Sequence, residues 1–243
     1  MSKIEWTNST WNPTTGCSKI SAGCSNCYAE SMTRRLQAMG LKKYGEGFDK
    51  VRLHHEVLGL PVTWKTPQKV FVNSMSDLFH QDLSLEQIQE VFAVMLECNH
   101  HIFQVLTKRA ERLEQLSSFL SWPENVWMGV SVENKRAKSR INHLRNTEAK
   151  TKFISIEPLI EDLGELDLKE IDWVVVGGES GPGARPVEER WVESVLEQCL
   201  ACDIPFFFKQ WGGKNKKKAP KPLLRGKTWY QWPRIALHNS EAV

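Results

Sequence analysis

Three cysteines lie close together near the start of the sequence, at Cys17, Cys24 and Cys27, with six residues in the first gap and two in the second. Three thiolates on one loop can hold three irons of a [4Fe–4S] cluster. The fourth iron then has no protein ligand and can bind a small molecule. Gly16 and Gly23 allow the loop to fold tightly. The spacing therefore predicts an iron–sulfur site with one open coordination position.

A second interpretation of the same cysteines is a structural zinc site. Three thiolates and one histidine complete a tetrahedral zinc shell, and the candidates for the histidine are His54, His55 and His80. Zinc would make the protein a non-catalytic module that binds nucleic acid or another protein. Structural zinc sites usually pair two short Cys/His knuckles and only one is evident, which favours the cluster. Plain thiols are the third alternative.

Polar clusters follow the apolar segments that are expected to form strands. They occupy residues 73–77, 107–109, 131–134, 155–157, 177–180 and 209–211. Ligands of parallel α/β proteins bind at the carboxyl ends of the strands, so these clusters are expected to converge on one site. Glu157 and Glu179 directly follow apolar runs, where burial of an unused carboxylate is unfavourable. A metal-independent hydrolase that uses these two carboxylates as a pair is a further hypothesis.

Four basic residues in or near these clusters could attract an anionic substrate such as a nucleotide phosphate: Lys108, Arg109, Arg185 and Lys209. One of Lys108, Arg185 and Lys209 could instead form a buried ion pair with Glu157. Residues 177–183 are rich in glycine but lack the Lys-Ser/Thr pair that ends a phosphate-binding P-loop. We interpret this segment as a turn that admits adenine or ribose.

The elements that must position these residues alternate between strand and helix. Apolar runs rich in Val, Ile and Phe predict strands at residues 70–73, 102–106, 126–130, 152–156, 173–176 and 205–208, with a weaker one near 10–12. Helical spacing falls at about 27–39, 85–98, 109–119, 135–145 and 188–202. The pattern predicts an α/β protein with parallel strands and outer helices, folded as a partial (β/α)6-7 barrel. An open doubly wound sheet is the alternative.

The chain is expected to form one barrel domain over residues 1–213, with an irregular insertion at residues 40–69. Cys199 and Cys202 share one face of the last helix, which predicts their burial against the sheet. Cys98 is predicted to be a core residue as well.

Residues 214–243 are predicted to be a basic, aromatic-containing C-terminal extension. Residues 204–240 contain nine Lys and Arg and no Asp or Glu, whereas residues 1–203 carry a net negative charge. Basic groups contact phosphate and indole rings stack on bases, so this composition is suited to nucleic acid. The alternative is that the aromatic end packs back over the barrel.

Several short sequence motifs resemble those of a known family. They are Trp11-Asn-Pro13, Cys27-Tyr-Ala-Glu30, Ser76-Asp-Leu-Phe-His80, Thr107-Lys108, Ser155-Ile-Glu-Pro-Leu159, Gly177-Gly-Glu-Ser-Gly181 and Phe208-Lys-Gln-Trp-Gly212. With the C-x6-C-x2-C loop, they resemble a phage-associated three-cysteine-motif family that is related to the radical S-adenosylmethionine (SAM) enzymes. The resemblance covers residues 5 to 213. The commonest radical SAM loop differs, because its first gap is shorter and an aromatic residue precedes its last cysteine.

The resemblance implies that Cys17, Cys24 and Cys27 ligate a [4Fe–4S] cluster and that SAM chelates its open iron. An electron from a donor such as flavodoxin or ferredoxin would cleave SAM and release a 5′-deoxyadenosyl radical. The enzyme would use this radical on a nucleic-acid component or nucleotide. The residues assigned to cofactor binding are Tyr28 at the adenine, Ser74, Ser76 and Asp77 at the SAM ammonium, and Glu133, Glu157, Gly178 and Glu179 at the strand ends. Those assigned to substrate binding are Lys108, Lys209 and Gln210.

The composition excludes several classes of protein. With 41% hydrophobic and 25% charged residues, disorder and fibrous repeats are not expected. The apolar runs are far shorter than the roughly 20 residues of a membrane-spanning helix. The first six residues contain no apolar signal region, which predicts a cytoplasmic protein with reduced cysteines in a bacterial or phage-infected host cell.

Overall fold

The computed structural model describes residues 4–214 and 221–234. Its centre is a parallel sheet of seven strands. In order across the sheet, with labels that follow the chain, these are β1 (Ser9–Trp11), β4 (Lys69–Val72), β5 (Ile102–Thr107), β6 (Val126–Ser131), β7 (Thr151–Ile156), β8 (Trp173–Gly177) and β9 (Phe206–Gln210). Every neighbouring pair in this sheet is parallel, because a helix or a long connection separates successive strands.

Five α-helices connect the strands: α1 (Tyr28–Ala38), α2 (Leu85–Glu97), α3 (Ala110–Ser117), α4 (Ser139–Arg145) and α5 (Glu189–Ala201). The larger hydrophobic cluster joins strand residues such as Val105 and Ile154 to helix residues such as Val91 and Leu196. The smaller cluster, on the other face of the sheet, contains no residue of these helices. Helices pack on one face of the sheet in a β/α barrel and on both faces in a doubly wound fold. The predicted partial barrel is therefore confirmed, and the alternative of a doubly wound sheet is wrong.

The inner face of the sheet carries a layer of aromatic rings near the amino ends of the strands. This aromatic layer consists of Trp6, Trp127, Phe153, Trp173 and Phe207. The Trp6 ring centroid lies 4.7 Å from that of Phe71 on β4 and 6.0 Å from that of Trp173 on β8. One ring can reach both strands because the sheet curls into a half-barrel around the layer.

Most predicted elements agree with the structure to within one or two residues. The segment predicted as one helix over residues 135–145 is instead a 3₁₀-helix (Lys135–Lys138) followed by α4. Helix α2 begins at a capping box, in which the Ser84 hydroxyl accepts a hydrogen bond from the Gln87 backbone N–H and the Gln87 side chain accepts one from Ser84.

Residues 221–234 return to the sheet. Two short strands pair here, β10 (Leu223–Leu224) with β11 (Lys227–Thr228), and Tyr230 then pairs antiparallel with Phe207 at the edge of β9. Trp229 is only 6% exposed, and its ring packs against Phe206. Packing of the aromatic end over the barrel is therefore confirmed for Trp229, and this ring is not free to stack on bases. The predicted lysine cluster at residues 215–220 lies outside the described residues.

The insertion (residues 40–69) consists of short pieces joined by turns. Strand β3 (Arg52–Leu53) pairs antiparallel with β2 (Thr14–Thr15), and three 3₁₀-helices occupy Lys42–Tyr44, His55–Val57 and Leu60–Thr63. The Trp11 indole donates to the Val57 carbonyl at 2.9 Å, which anchors the insertion to the first strand.

Burial separates the remaining cysteines. Cys98 and Cys199 are buried, as predicted, whereas Cys202 is exposed and the prediction of its burial is wrong. Cys202 follows the last residue of α5, where the chain leaves the helix. Within the two described ranges, no helix combines the length and the apolar character that crossing a membrane requires.

Candidate functional site

The inner face of the sheet changes from aromatic to polar at the carboxyl ends of the strands. Because side chains alternate along a strand, residues two positions apart share a face. Phe153, in the aromatic layer, is therefore followed on the inner face by Ser155 and Glu157, and Trp127 is followed by Ser131. We call this group the polar mouth: Lys108, Ser131, Glu133, Ser155, Glu157, Glu179 and Lys209.

Two contacts link neighbouring strands within the polar mouth. The Lys108 ammonium donates to the Ser131 hydroxyl at 3.1 Å. Lys209 Nζ lies 3.3 Å from both carboxylate oxygens of Glu157, which confirms Lys209 as the ion-pair partner among the three predicted for Glu157. The Ser155 hydroxyl is buried and has no hydrogen-bond partner among residues 4–214 and 221–234. The mouth thus holds a buried polar atom that the described part of the chain does not satisfy, which is typical of a ligand site.

The cysteine loop (residues 16–27) lies across the polar mouth and is anchored at both ends. At its first end, the Arg109 guanidinium donates to Asp77 at 3.0 Å and contacts Cys17 Sγ at 3.6 Å. Arg109 also donates to the Ser18 carbonyl at 3.0 Å, and the Ser18 hydroxyl lies 2.8 Å from His80 Nε2. These contacts fasten the loop to the ends of β4 and β5.

The middle of the loop covers Glu133, whose side chain is completely buried. A Cβ atom on Gly23 would lie 3.0 Å from Glu133 Cγ, so the loop backbone passes directly over this side chain. Arg140 donates to Glu133 Oε2 at 2.7 Å, while Oε1 accepts no hydrogen bond from any residue that the structure describes. Burial acts to raise the pKa of Glu133, but the nearby Ser21 hydroxyl and the charges of Arg140 and Lys108 outweigh it and hold the pKa below its usual value.

The last part of the loop is fastened to Glu179 after β8. The Asn26 amide donates to Glu179 Oε2 at 3.0 Å and to the Gly183 carbonyl at 2.8 Å. Arg185 donates to both oxygens of Glu179, at 2.8 and 2.6 Å, and to the Ala22 carbonyl at 3.0 Å. Burial acts to raise the pKa of Glu179, but the hydrogen bonds from Arg185 and Asn26 lower it overall.

The three cysteine thiols are brought to one loop but not into one metal shell. Among residues 4–214 and 221–234, no three His, Cys, Asp or Glu side chains are grouped closely enough to hold a metal ion. Burial, reinforced by the charge of Asp77, raises the pKa of Cys17 to about 11. Cys24 Sγ lies 3.7 Å from the Ser21 hydroxyl. The donor types fit an iron–sulfur cluster, and iron would have to gather the three sulfurs as the thiols lose their protons.

The residues predicted to receive the SAM ammonium are already used within the protein. Asp77 accepts hydrogen bonds from the Thr107 hydroxyl and from Arg109, and it is 6% exposed. The Ser76 hydroxyl donates to the Gly16 carbonyl at 2.6 Å, and that of Ser74 donates to Asn12 at 3.1 Å. All three hold the start of the cysteine loop and its flanking strands together, and their role at SAM stays a prediction.

The remaining predicted site residues lie around the ends of β8 and β9. A Cβ atom on Gly178 would lie 2.0 Å from the Trp211 carbonyl oxygen, so only glycine permits this approach of two backbones. The Gln210 amide donates to the Gly178 carbonyl at 2.9 Å, and its own side-chain oxygen is buried with no partner in the described part of the chain. Tyr28, at the start of α1, is 63% exposed beside the loop.

The geometry supports the two alternatives, the zinc site and the paired-carboxylate hydrolase, less well than the cluster. His54 is bonded to Thr15 at 2.8 Å and His55 to Glu90 at 3.2 Å, so of the three candidate zinc ligands only His80 contacts the cysteine loop. The proposed hydrolytic pair is divided between two cations, since Glu157 pairs with Lys209 and Glu179 with Arg185.

Three of the four basic residues predicted to attract an anion are neutralised by carboxylates instead. Arg109 pairs with Asp77, Arg185 with Glu179 and Lys209 with Glu157. Arg140 was not predicted as a site residue; it lies on α4, seven residues after Glu133, and nothing in its spacing identifies it as the partner. Lys108 forms no ion pair with any carboxylate of the described residues.

The chain belongs to a family of proteins of unknown function, DUF5131, whose model matches residues 1–233. The match covers the barrel, the cysteine loop and the returning segment. It assigns no activity or cofactor, so the relationship to radical SAM enzymes stays a prediction. No curated protein sequence and no solved structure matches the chain significantly.

Proposed function

We propose that this protein is a radical SAM enzyme that binds a [4Fe–4S] cluster through Cys17, Cys24 and Cys27 and acts on a nucleic-acid component or nucleotide. The observation that carries the proposal is the position of the cysteine loop across the polar mouth of a parallel half-barrel. Ligands of β/α barrels bind at this end, and three thiols on one loop suit a cluster with an open iron.

The chain's own residues would bind and orient the cofactor and the substrate. When bound, the cluster and SAM supply one-electron cleavage of the sulfonium bond and abstraction of hydrogen from an unactivated carbon. Glu133 offers a buried carboxylate oxygen without a partner to the SAM ammonium, and Tyr28 offers an exposed ring to the adenine. Lys108 and Gln210 have unused polar capacity for the substrate.

The cysteine loop would also exclude water. Its contacts with Asp77 at one end and Glu179 at the other keep it over the polar mouth. The electron would come from a flavodoxin or ferredoxin in the cytoplasm of a bacterial or phage-infected host cell, where thiols stay reduced.

The test is anaerobic reconstitution of the purified chain with iron and sulfide, followed by reduction in the presence of SAM. We expect about four irons and four sulfides per chain, a broad absorption near about 400 nm, and release of 5′-deoxyadenosine. Cys24→Ala should abolish the release, whereas Cys202→Ser, at an exposed cysteine outside the loop, should retain it.

Other outcomes overturn the proposal in distinct ways. A colourless protein with one equivalent of zinc would establish the structural zinc site instead. A loaded cluster that does not cleave SAM would show that the loop holds iron for another purpose. Activity that survives in Cys24→Ala would point to the carboxylates and not to the cysteines.

A further inference from the structure

A second concave surface lies beside the cysteine loop, in the insertion. It is a cavity of about 340 Å³ that we call the basic pocket, and its basic lining residues are Lys42, Lys43, Lys50, Arg52, His54 and His55. The acidic residues that line it are Glu46 and Glu56. Basic residues therefore outnumber acidic ones around an open cavity, which favours an anionic ligand.

The cations of the basic pocket differ in what they already bind. Lys43 donates to the Asn12 carbonyl at 2.7 Å, and Arg52 pairs with Glu46 at the surface. Lys42 and Lys50 form no hydrogen bond or ion pair through their ammonium groups with any described residue. These two lysines are thus available to a ligand, whereas the others hold the walls of the cavity in place.

The charge around the pocket contrasts with the rest of the barrel. Residues 19–52 contain seven Lys and Arg against three Asp and Glu, whereas residues 53–203 contain 15 against 24. Within residues 1–203, the positive charge is therefore concentrated on the cysteine loop, α1 and the insertion, and the second basic stretch of the sequence is residues 204–240. Seven cations against three carboxylates leave a net charge of +4 on this segment, which is more than one phosphate group can neutralise, so a chain of phosphates fits this surface better than a single anion.

The basic pocket and the cysteine loop share their backbone contacts. The Cys17 N–H donates to the Phe48 carbonyl at 2.8 Å, and a Cβ atom on Gly16 would lie 2.1 Å from the Lys50 carbonyl oxygen. Gly16 has a φ of +85°, which glycine adopts without strain. The backbone of Lys50 thus lies directly against Gly16, the residue that precedes the first cysteine.

We propose that the basic pocket binds the phosphodiester backbone of a polynucleotide and delivers the strand to the polar mouth. As an assignment of the substrate class, the inference rests on the proposed function, but binding itself requires no cofactor. It places the nucleic-acid contact on the insertion instead of the C-terminal segment, where Trp229 is buried.

The experiment measures fluorescence anisotropy of a labelled single-stranded oligonucleotide of about 20 nucleotides with the full chain, over a series of salt concentrations. The double variant Lys42→Gln/Lys50→Gln should bind at least about tenfold more weakly at about 0.1 M salt. Its slope of log K against log salt should fall by about 1.4, which is two phosphate contacts at about 0.7 each.

The matched control is Lys150→Gln/Lys169→Gln, which removes the same charge from exposed lysines before β7 and β8, at the opposite ends of the strands. Its affinity should change less than about twofold, because these lysines contact no phosphate in the proposed complex. Equal losses in the two double variants would overturn the proposal, since net charge alone would then explain binding. Unfolding curves for both variants exclude misfolding as the cause.

Competition identifies the ligand class. Unlabelled oligonucleotide should displace the label, whereas inorganic phosphate and a nucleoside monophosphate should require far higher concentrations. If the monophosphate displaces the label at the same phosphate concentration, the ligand is a free nucleotide and not a strand. If polyglutamate displaces it equally well, the ligand is an acidic protein. Oligonucleotide binding without SAM cleavage would support the assignment of the basic pocket and overturn the proposed function. SAM cleavage without oligonucleotide binding would support the proposed function and overturn the assignment of the pocket.

Discussion

The two ends of the curled sheet are built from the same strands but have opposite chemistry. At the amino ends, the rings of Trp127, Phe153 and Trp173 pack together with centroid separations below 6 Å. Two residues beyond Phe153 and four beyond Trp127, the inner face carries Ser155 and Ser131, and the mouth contains charged pairs. Since the backbone pattern is unchanged, the difference lies in the side chains alone.

The aromatic layer stabilises the fold, whereas the polar mouth is the region of the proposed function. Burial of aromatic rings stabilises the fold, whereas a buried hydroxyl or carboxylate without a partner weakens it. Under the proposed function, the residues that weaken the fold at this end of the sheet are those that bind the ligand. The following changes test that division, beginning with the largest expected effect.

Replacement of Trp173 by alanine should destabilise the protein by about 3–5 kcal/mol, because the ring is fully buried and contacts four other rings. Urea unfolding followed by circular dichroism measures the change. The control is Phe119→Ala, since Phe119 is 59% exposed and should lose less than about 1 kcal/mol. Similar losses at both positions would contradict the role of the aromatic layer.

Replacement of Glu133 by glutamine should cost about 3 kcal/mol, because it leaves the Arg140 guanidinium, 13% exposed, without its carboxylate. The double variant Glu133→Gln/Arg140→Met should recover part of the loss, since no unpaired charge remains. A double-mutant cycle in urea measures the coupling. Strictly additive losses would show that the two side chains do not interact.

Acidification should weaken the mouth before it affects the aromatic layer. Glu133 and Glu179 both have a pKa below the usual value, so the unfolded chain binds protons more readily. Their stabilising contribution is complete above a pH of about 4.5 and is lost as the pH falls through the lower pKa values of the folded state. Urea unfolding between about pH 6 and 3 should show a shallower loss for Glu133→Gln and Glu179→Gln than for the wild type.

The matching control for acidification is Trp173→Phe, which should keep the pH dependence of the wild type because it changes no titratable group. A pH dependence that is identical in the two glutamine variants and the wild type would contradict the assignment.

Replacement of Ser155 by alanine should change stability by less than about 1 kcal/mol and can increase it, because the buried hydroxyl has no hydrogen-bond partner. The neighbouring inward residue on the same strand, Phe153, provides the contrast, since Phe153→Ala should lose about 3–5 kcal/mol. A large loss at Ser155 would mean that its hydroxyl is satisfied in the folded protein.

The sequence allowed the sheet to be predicted because its central strands are continuous apolar runs, such as Trp173 to Val176. The two-residue strands β2 and β3 were missed, since two residues carry no period. The helices were located by their spacing, apart from the change to 3₁₀ geometry before α4.

The site was predictable in position but not in its pairings. Strand-end polarity identified Glu157, and Lys209 was among its predicted partners. The bond from Asn26 to Glu179 joins residues 153 positions apart, and no local pattern indicates such a contact. Arg140 lies only seven residues after Glu133, but Glu133 precedes the helical segments, so helix spacing does not relate the two residues.

The pairing of Tyr230 with Phe207 has a consequence for how the chain can be shortened. An open sheet exposes backbone N–H and C=O groups along each outer strand, and such edges recruit other chains. Here the Phe208 N–H donates to the Trp229 carbonyl, and the Gln231 N–H donates to that of Phe206. A truncation after residue 213 would uncover β9, so self-association and precipitation would follow whether or not the missing segment ever touches a ligand.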